Sequence, residues 1–268
     1  MPERAEVAIF TIDLKAQFPK GSIIDKVESF DDSFPVPIPK RDFPLTVKRI
    51  SSKGKKSYIV FKNNMALLVS YGMTASWSDQ KTKFTKFKFK SVDSVYYWQC
   101  KRKLHCETVK YMTREDLYLQ LADLGLDIYH PREEATESII LSKYNGKNGK
   151  SFTRLIYTFL MDQRRFCGIG NYLRCMILYR MKISPFRKVS ELTKEEKIGI
   201  YTVANEIIKE IIAMGGHTVF DWQRADGRTL GHYDVTPYKK INDNKGNYVK
   251  MEKVGINSHI YWCPDIQK

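Results

Sequence analysis

The chain has 268 residues, 43% of them hydrophobic, so it can bury a core in one large or two modest domains. Its 45 Lys and Arg residues exceed the 30 Asp and Glu residues, which gives a formal net charge of +15. An excess of this size favours an anionic partner, nucleic acid being the commonest, over a merely solvated basic surface or an acidic membrane. No apolar run of about 18 residues is present to span a membrane.

Cysteine usage points to an intracellular protein. The five cysteines contain no Cys-x-x-Cys pair, which indicates neither a disulfide framework nor a four-thiolate zinc site. They are Cys100, Cys106, Cys167, Cys175 and Cys263. The polar, acidic start of the chain is also unlike a signal peptide.

Residues 1–130 are predicted to be a mainly β domain with a helix near each end, one at 4–18 and one after Thr113. Short apolar runs predict strands at 58–61, 66–71 and 83–90. The last of these runs alternates apolar and basic residues. Its lysine face is either a stripe that follows phosphates or the protected edge of a sheet.

A polar stretch rich in Gly, Asn and Lys predicts an interdomain linker at 131–150. Helical spacing then dominates to about residue 215, and the second domain is predicted to extend to residue 237. Short strands return over 238–268, where we expect a small hairpin held by apolar side chains. Those side chains are Tyr248, Met251, Val254, Ile260 and Trp262.

Between two of the predicted helices lies the string Gly168-Ile169-Gly170-Asn171. Two glycines permit a tight turn and a close backbone approach to a partner. The amides at the following helix N-terminus form an anion site, and Asn171 adds a side-chain donor. The string therefore predicts a phosphate-binding turn.

The chain begins Met1-Pro2-Glu3. If Met1 is removed, Pro2 becomes a secondary amine with a carboxylate beside it. An α-amino group titrates near about 8, so a large fraction is nucleophilic at neutral pH. Attack on a sugar carbon gives an iminium cation, which is an electron sink for elimination. The plainer interpretation is an ordinary start to a cytosolic chain.

The Pro2-Glu3 start and the Gly168–Asn171 string occur in the same chain. With both present, the sequence resembles the formamidopyrimidine-DNA glycosylase / endonuclease VIII family, from Pro2 to Gln267. The resemblance implies an α+β fold, in which an N-terminal β-sandwich precedes a helix–two-turn–helix domain. It also implies that Pro2 attacks the sugar C1′ of a damaged nucleotide while Glu3 handles protons. Glu6 matches the family start as well.

The resemblance assigns further residues to DNA. Lys55, with Lys56 as its competitor, matches a lysine that contacts DNA near the lesion. Met73 matches a methionine that fills the hole left by an extruded base. Arg102 and Leu104 occupy the positions of two other void-filling side chains, although the family has an aromatic residue where Leu104 stands.

The end of the chain resembles the last strand of the family's zinc finger. Only Cys263 remains of the thiolates, so the resemblance is to the branch whose hairpin finger lacks zinc. Ser258 stands where the family has a DNA-binding arginine, and Lys239 and Lys240, or alternatively His259, are the candidate replacements.

Three further positions depart from the family pattern, namely Arg4, Ala5 and Met176. The leading hypothesis is nevertheless a bifunctional DNA glycosylase/AP lyase for oxidised bases. We expect a monomer that acts without metal or other cofactor on damaged DNA, duplex or single-stranded, in a compartment that contains DNA, such as a nucleus or a viral or bacterial nucleoid. The alternatives are an inert DNA-binding protein that retains the fold and a general basic nucleic-acid module.

Overall fold

The computed structural model describes residues 2–30, 38–72, 74–101, 107–130, 135–146, 149–217, 231–256 and 258–268. The chain forms two compact units. The first runs to Asp123, and the second comprises Leu124–His217 and Tyr233–Lys268. None of the helices in these ranges is both long and apolar enough to cross a membrane.

The first unit is a sheet flanked by two helices, α1 (Arg4–Gln17) and α2 (Arg114–Ala122). A 3-10 turn spans Lys40–Asp42. The strands of the first unit are β1 (Ile23–Ser29), β2 (Leu45–Lys53), β3 (Lys56–Phe61), β4 (Met65–Tyr71), β5 (Ser76–Ser78), β6 (Thr85–Ser91), β7 (Val95–Gln99) and β8 (Glu107–Thr113).

The strands pair antiparallel in the order β5-β7-β6-β1-β2-β3-β4-β8. Strands β1 and β2 pair only where Ile23 and Ile24 meet Thr46 and Leu45, so the sheet divides into two four-stranded halves. The indole Nε1 of Trp77 on β5 donates to the hydroxyl of Tyr71 on β4, at 3.2 Å. This bond joins one half to the other, and the predicted β-sandwich is confirmed.

Strand β6 lies between β7 and β1, so the edge-strand interpretation of its lysines is wrong. Part of the lysine face is neutralised within the sheet. Glu28 on β1 pairs with Lys26 at 2.8 Å and with Lys88 at 3.3 Å. These hydrogen bonds lower the pKa of Glu28 below its usual range.

Helix α1 packs its apolar face on the sandwich because Val7, Phe10 and Leu14 recur at helical spacing and are fully buried. The Phe10 ring lies 4.9 Å from the ring of Tyr71. Burying a side chain of this size contributes about 1.5–3 kcal/mol, so the helix that carries the N-terminus is firmly held.

The second unit is mainly helical. Its helices are α3 (Glu137–Ser142), α4 (Ile156–Phe159), α5 (Asn171–Arg180) and α6 (Lys194–Ala213), with a 3-10 turn at Val189–Glu191. Its strands are β9 (Leu126–Asp127), which pairs parallel with β10 (Phe166–Cys167), and β11 (Lys250–Gly255), which pairs antiparallel with β12 (Ser258–Trp262).

Local sequence explains the longest helix of this unit. Thr193 Oγ1 caps α6 by accepting a hydrogen bond from the Glu196 N–H, and the Glu196 carboxylate accepts one from the Thr193 N–H at 2.8 Å. This is the capping box that the Thr-Lys-Glu-Glu string predicts. The buried residues Ile200, Ile207 and Ile211 then form one face of the helix.

The predicted domain boundaries differ from the compact units. The first unit ends at Asp123, earlier than residue 130, and the 238–268 hairpin lies in the same unit as the helices. Within the predicted 131–150 linker, helix α3 forms because Thr136 caps it. The division into a sandwich, linker, helical domain and finger stays a prediction.

Apolar packing holds only part of the β11–β12 hairpin as expected, since the Trp262 ring lies 5.4 Å from the Phe186 ring. Ile260 is fully buried, but Tyr248 is 58% and Met251 56% exposed. A two-stranded hairpin has no second layer to cover both of its faces, so the expectation for Tyr248 and Met251 is wrong.

Hydrogen bonds anchor the end of the hairpin instead. The Gln267 amide accepts from the Cys263 N–H at 2.8 Å and donates to the Ile183 carbonyl at 2.9 Å. The backbone of Lys268 accepts from Ser184 and donates to Lys182. The chain end is thereby fixed to the segment that follows α5.

Candidate active site and nucleic-acid interface

The proposed catalytic residues sit at the first turn of α1. Glu3 is the N-cap of this helix, and its backbone N–H donates to Glu6 Oε2 at 2.7 Å. The two residues form a capping box, and both are buried, with Glu3 3% and Glu6 0% exposed. The positive end of the helix dipole stabilises carboxylates in this position. Glu6 therefore fixes the backbone at Glu3, directly after the buried Pro2.

Arg4 joins this turn to the sheet. Its side chain is 1% exposed, and its guanidinium donates to Ser52 Oγ on β2 at 3.2 Å. Strand β2 ends at Lys53, and a two-residue turn carries Lys55 into β3. Gly54 supplies the positive φ of 56° that this turn needs. Pro2, Glu3, Glu6 and Lys55 thus lie in one compact unit, in which Arg4 joins the first turn of α1 to β2.

The two lysines of the hairpin have different surroundings. Lys55 is half-buried at the tip of the turn. Lys56 begins β3, and partial burial, reinforced by the charge of Lys110, lowers the pKa of its amine. The nearby Lys53, at the end of β2, points its side chain to another element, since its Nζ donates to the Leu121 carbonyl on α2 at 2.9 Å.

Three candidate void-filling residues, Met73, Arg102 and Leu104, lie outside the described residues. The strand that leads to Met73 is rigidly anchored. The hydroxyl of Tyr71 lies 2.5 Å from Ser57 Oγ and accepts from Trp77, and burial raises its pKa. Gly72 follows with a φ of 51°, which a glycine adopts without strain.

The turn at 168–171 is built as a rigid loop before α5. Gly168 has a φ of 108°, and its N–H donates to Gln163 Oε1 at 3.0 Å. The other end of the same amide, Gln163 Nε2, donates to the Ile169 carbonyl at 2.8 Å. Gly170 is then the N-cap of α5 in an extended conformation. Sequence reasoning missed Gln163, which holds the turn from both sides.

Asn171 is the first residue of α5 and is half-buried. Its Oδ1 accepts from Arg174 Nε at 2.9 Å. Arg174 is 3% exposed, and sequence reasoning missed it too. Its spacing three residues after Asn171 on a helix was the available signal.

The candidate replacements for the finger arginine have different settings. Lys240 pairs with Asp234 at 3.3 Å, while Lys239 has a φ of 59° and its Nζ lies 5.8 Å from the Tyr238 ring centre. The Tyr238 ring packs 5.1 Å from Tyr261 on β12. It also lies 6.4 Å from Tyr172, the neighbour of Asn171. The Lys239 turn is thus packed against the start of α5.

A carboxylate organises the turn that precedes the hairpin. Asp243 accepts from Tyr179 on α5 at 2.8 Å, and from the backbone and side-chain N–H groups of Asn247, each at 2.8 Å. It also accepts from the Lys245 N–H at 2.9 Å. Desolvation opposes its charge, but these bonds outweigh that effect and lower the pKa of Asp243 to about 2.

The cysteine of the hairpin, Cys263, is fully buried. Burial, reinforced by Asp243 and Asp265, raises the pKa of its thiol to about 11. Within the described ranges, no three His, Cys, Asp or Glu side chains are grouped to hold a metal ion.

Comparison with known proteins points to one family. Residues 130–222 match the formamidopyrimidine-DNA glycosylase H2TH domain, which includes the Gly168–Asn171 turn. The formamidopyrimidine-DNA glycosylase of Mycoplasmopsis pulmonis is 26% identical over 289 aligned residues, which cover 100% of this chain and 98% of that relative. These similarities support the formamidopyrimidine-DNA glycosylase / endonuclease VIII family. A second such relative, from Phenylobacterium zucineum, is 36% identical over 118 residues, 41% of this chain and 40% of its own length.

Solved structures share the fold of this chain over its whole length. The MutM (Fpg) protein of Thermus thermophilus superposes with a TM-score of 0.81 at 21% identity, covering 99% of this chain and 98% of its own. A mutant Lactococcus lactis Fpg in complex with Fapy-dG containing DNA gives a TM-score of 0.80 at 18% identity, with full coverage of both chains. The α+β fold inferred from the sequence is confirmed.

Proposed function

We propose that this protein is a bifunctional DNA glycosylase and AP lyase that removes oxidised bases, with the Pro2 amine as nucleophile. Similarity to formamidopyrimidine-DNA glycosylases supports the proposal. So do the names of its structural neighbours, which include Lactococcus lactis Fpg complexes with DNA containing Fapy-dG, an oxidised pyrimidine or an abasic site. The observation that carries it is the Pro2-Glu3 pair at the start of α1, with Glu6 closing the cap behind it.

The chemistry requires Pro2 to be a free secondary amine, and therefore requires removal of Met1. The proline nitrogen attacks C1′ of the damaged nucleotide. The glycosidic bond breaks, and the base leaves with the bonding electrons and takes up a proton. The attacking nitrogen loses its proton, the C1′–O4′ bond breaks, and Glu3 delivers a proton to O4′. The product is an open sugar joined to Pro2 as an iminium.

Strand cleavage follows from the iminium charge. A base removes a proton from C2′, the electrons move into the iminium, and the C3′–O bond breaks with the phosphate as leaving group. A second elimination releases the phosphate at C5′. Water then hydrolyses the remaining conjugate and frees Pro2 for another cycle.

DNA binding is assigned to the second unit and to the basic surface. Asn171 and the backbone at Gly168 and Gly170 are proposed to bind a phosphate, and Lys239 and Lys240 to add charge near it. Contacts of this kind position the duplex without reading its sequence. Lys55 is proposed to contact DNA beside the lesion. We further propose that the protein acts as a monomer on duplex or single-stranded DNA.

The second candidate is a DNA-binding protein that retains the fold without the chemistry. Two positions favour it. A buried Arg4 stands where the family has a glycine, and Ser258 stands where it has a DNA-binding arginine. A third departure, Ala5, lies in the same turn as Arg4.

A strand-incision assay tests the proposed function. Protein whose intact mass shows that Met1 is absent is incubated with an end-labelled duplex that contains one oxidised base. The proposal predicts release of the base and a strand break without added alkali. Binding of the duplex with neither event would favour the inert candidate. If the base is released but the strand breaks only after alkali is added, only the lyase assignment would be removed.

A further inference from the structure

Arg174 makes one set of contacts to the phosphate-binding turn and another to the hairpin. On the turn side, its Nε donates to Asn171 Oδ1 at 2.9 Å. On the hairpin side, one terminal nitrogen donates to Ser258 Oγ at 3.0 Å and to the His259 carbonyl at 3.3 Å. The other terminal nitrogen donates to the Tyr157 carbonyl at 3.3 Å. A single buried side chain therefore ties α5 to β12.

This contact sets the orientation of the Asn171 amide. A guanidinium has five N–H donors and no acceptor, so only the amide oxygen of Asn171 can face it. The amide nitrogen of Asn171 must then point away from Arg174. A side-chain amide without such a neighbour can flip and present its oxygen instead, which a phosphate would repel.

The guanidinium also leaves a positive charge beside the turn. All four partners of Arg174 in the described part of the chain are neutral oxygens, and none is a carboxylate. A buried charge without a counter-ion is costly, and an anion nearby offsets that cost. One of the four partners is Ser258, which stands at the position where the sequence lacks the expected finger arginine.

We propose that Arg174 is a positioning residue for DNA binding, which orients the Asn171 amide towards a phosphate and supplies from helix α5 a positive charge beside Ser258, where the finger arginine is absent. The inference rests on the proposed function, in that the anion is a DNA phosphate. Because the hairpin strand is held by the same guanidinium, the turn and the hairpin engage the DNA together.

The test is a double-mutant cycle on the affinity for a duplex that contains a tetrahydrofuran abasic analogue. Arg174→Met is expected to weaken binding at least tenfold in the otherwise unchanged protein and less than twofold when Asn171→Ala is also present. Arg174→Lys keeps the charge, but one amine cannot contact both the Asn171 turn and the hairpin. Its affinity should therefore lie between that of wild type and that of Arg174→Met. Arg180→Met, on the same helix, removes one charge as a matched control and should bind within twofold of wild type.

The outcomes are distinct. The inference is overturned if folded Arg174→Met binds the duplex within twofold of wild type. It is also overturned if the loss of affinity in the double variant equals the product of the losses caused by Arg174→Met and Asn171→Ala alone. Where thermal melting shows that the Met variant does not fold, the Lys variant completes the cycle under the same criterion. Failure of the wild type to bind the duplex would remove the proposed function and this inference together. Weakening by Asn171→Ala without coupling to Arg174 would remove the inference alone.

Discussion

The backbone N–H of Glu3 donates to the carboxylate of Glu6 at 2.7 Å, and neither side chain is more than 3% exposed. The residue proposed to handle protons is thus held in place by the residue three positions later on the same helix. Glu6 has a buried acceptor role that is independent of any chemistry, which makes it a positioning residue for Pro2 and Glu3.

Replacement of Glu6 by Ala is expected to lower the free energy of unfolding by about 1–3 kcal/mol, because it leaves the Glu3 N–H buried and unsatisfied. Cleavage should fall as well, since the first turn of α1 loosens. Glu6→Gln retains an acceptor oxygen and serves as the control. Denaturant unfolding and incision rates measure both effects. Equal stability of wild type and the Ala variant would contradict the capping role.

Replacement of Glu3 by Gln separates chemistry from structure. The amide oxygen can still cap α1, so thermal melting and DNA affinity should remain close to wild type. Incision should fall by about 10²–10⁴, the usual contribution of a general acid or base. Single-turnover kinetics provide the measurement. A Gln variant that cuts at the wild-type rate would show that Glu3 does not transfer the proton.

Replacement of Asn171 by Ala is expected to weaken DNA binding by about tenfold, which corresponds to one lost hydrogen bond to a charged group. The loss should be the same for every sequence that flanks the lesion, because phosphate contacts carry no sequence information. Affinities for a panel of duplexes with varied flanking bases test this. A loss confined to particular flanks would contradict the phosphate contact.

Periodicity and capping signals were enough to predict the main helices. The helix predicted at 4–18 is α1, and the helix predicted after Thr113 is α2. The Gly168–Asn171 turn and the Pro2-Glu3 start were readable because each is a short, contiguous string.

The long-range contacts that hold these segments in place could not be predicted from the sequence. Arg174 reaches Ser258 and His259, which are remote in sequence, and periodicity contains no information about such pairs. The hairpin shows the opposite error. Apolar residues at 248 and 251 suggested a core, but the strands have no layer to cover them, and hydrogen bonds of Gln267 and Asp243 hold the segment.

The charge of Asp243 should make stability depend on pH in the acid range. Its pKa in the folded protein, about 2, lies below the usual value of 3.8. A depressed carboxyl pKa contributes stability that is complete above about pH 5 and is lost as the pH falls towards 2. The melting temperature of wild type should therefore exceed that of Asp243→Asn by a constant margin above about pH 5, and the margin should shrink between pH 4 and 2.

The matched control for this titration is Asp265→Asn, at an exposed carboxylate of the same hairpin region. It should leave the acid limb of the melting profile unchanged. A margin between wild type and Asp243→Asn that persists undiminished to pH 2 would show that the hydrogen bonds to Asp243 do not depend on its charge.

Chelation should leave the protein unchanged. A structural zinc needs four convergent ligands, and Cys263 is the only thiol in the sequence of the hairpin. We expect the same melting temperature and DNA affinity with and without a chelator. Stoichiometric zinc found by elemental analysis, lost together with DNA binding on chelation, would show that the zincless assignment is wrong.

The central claim is that the Pro2 nitrogen is the nucleophile. It is tested most directly by borohydride reduction of the reaction with lesion-containing DNA, followed by mass spectrometry of the trapped peptide. The account predicts one adduct, on the peptide that begins at Pro2, and no adduct on protein that retains Met1. An adduct on a peptide that contains Lys55 or Lys56, or trapping that persists at full level with Met1 in place, would contradict it.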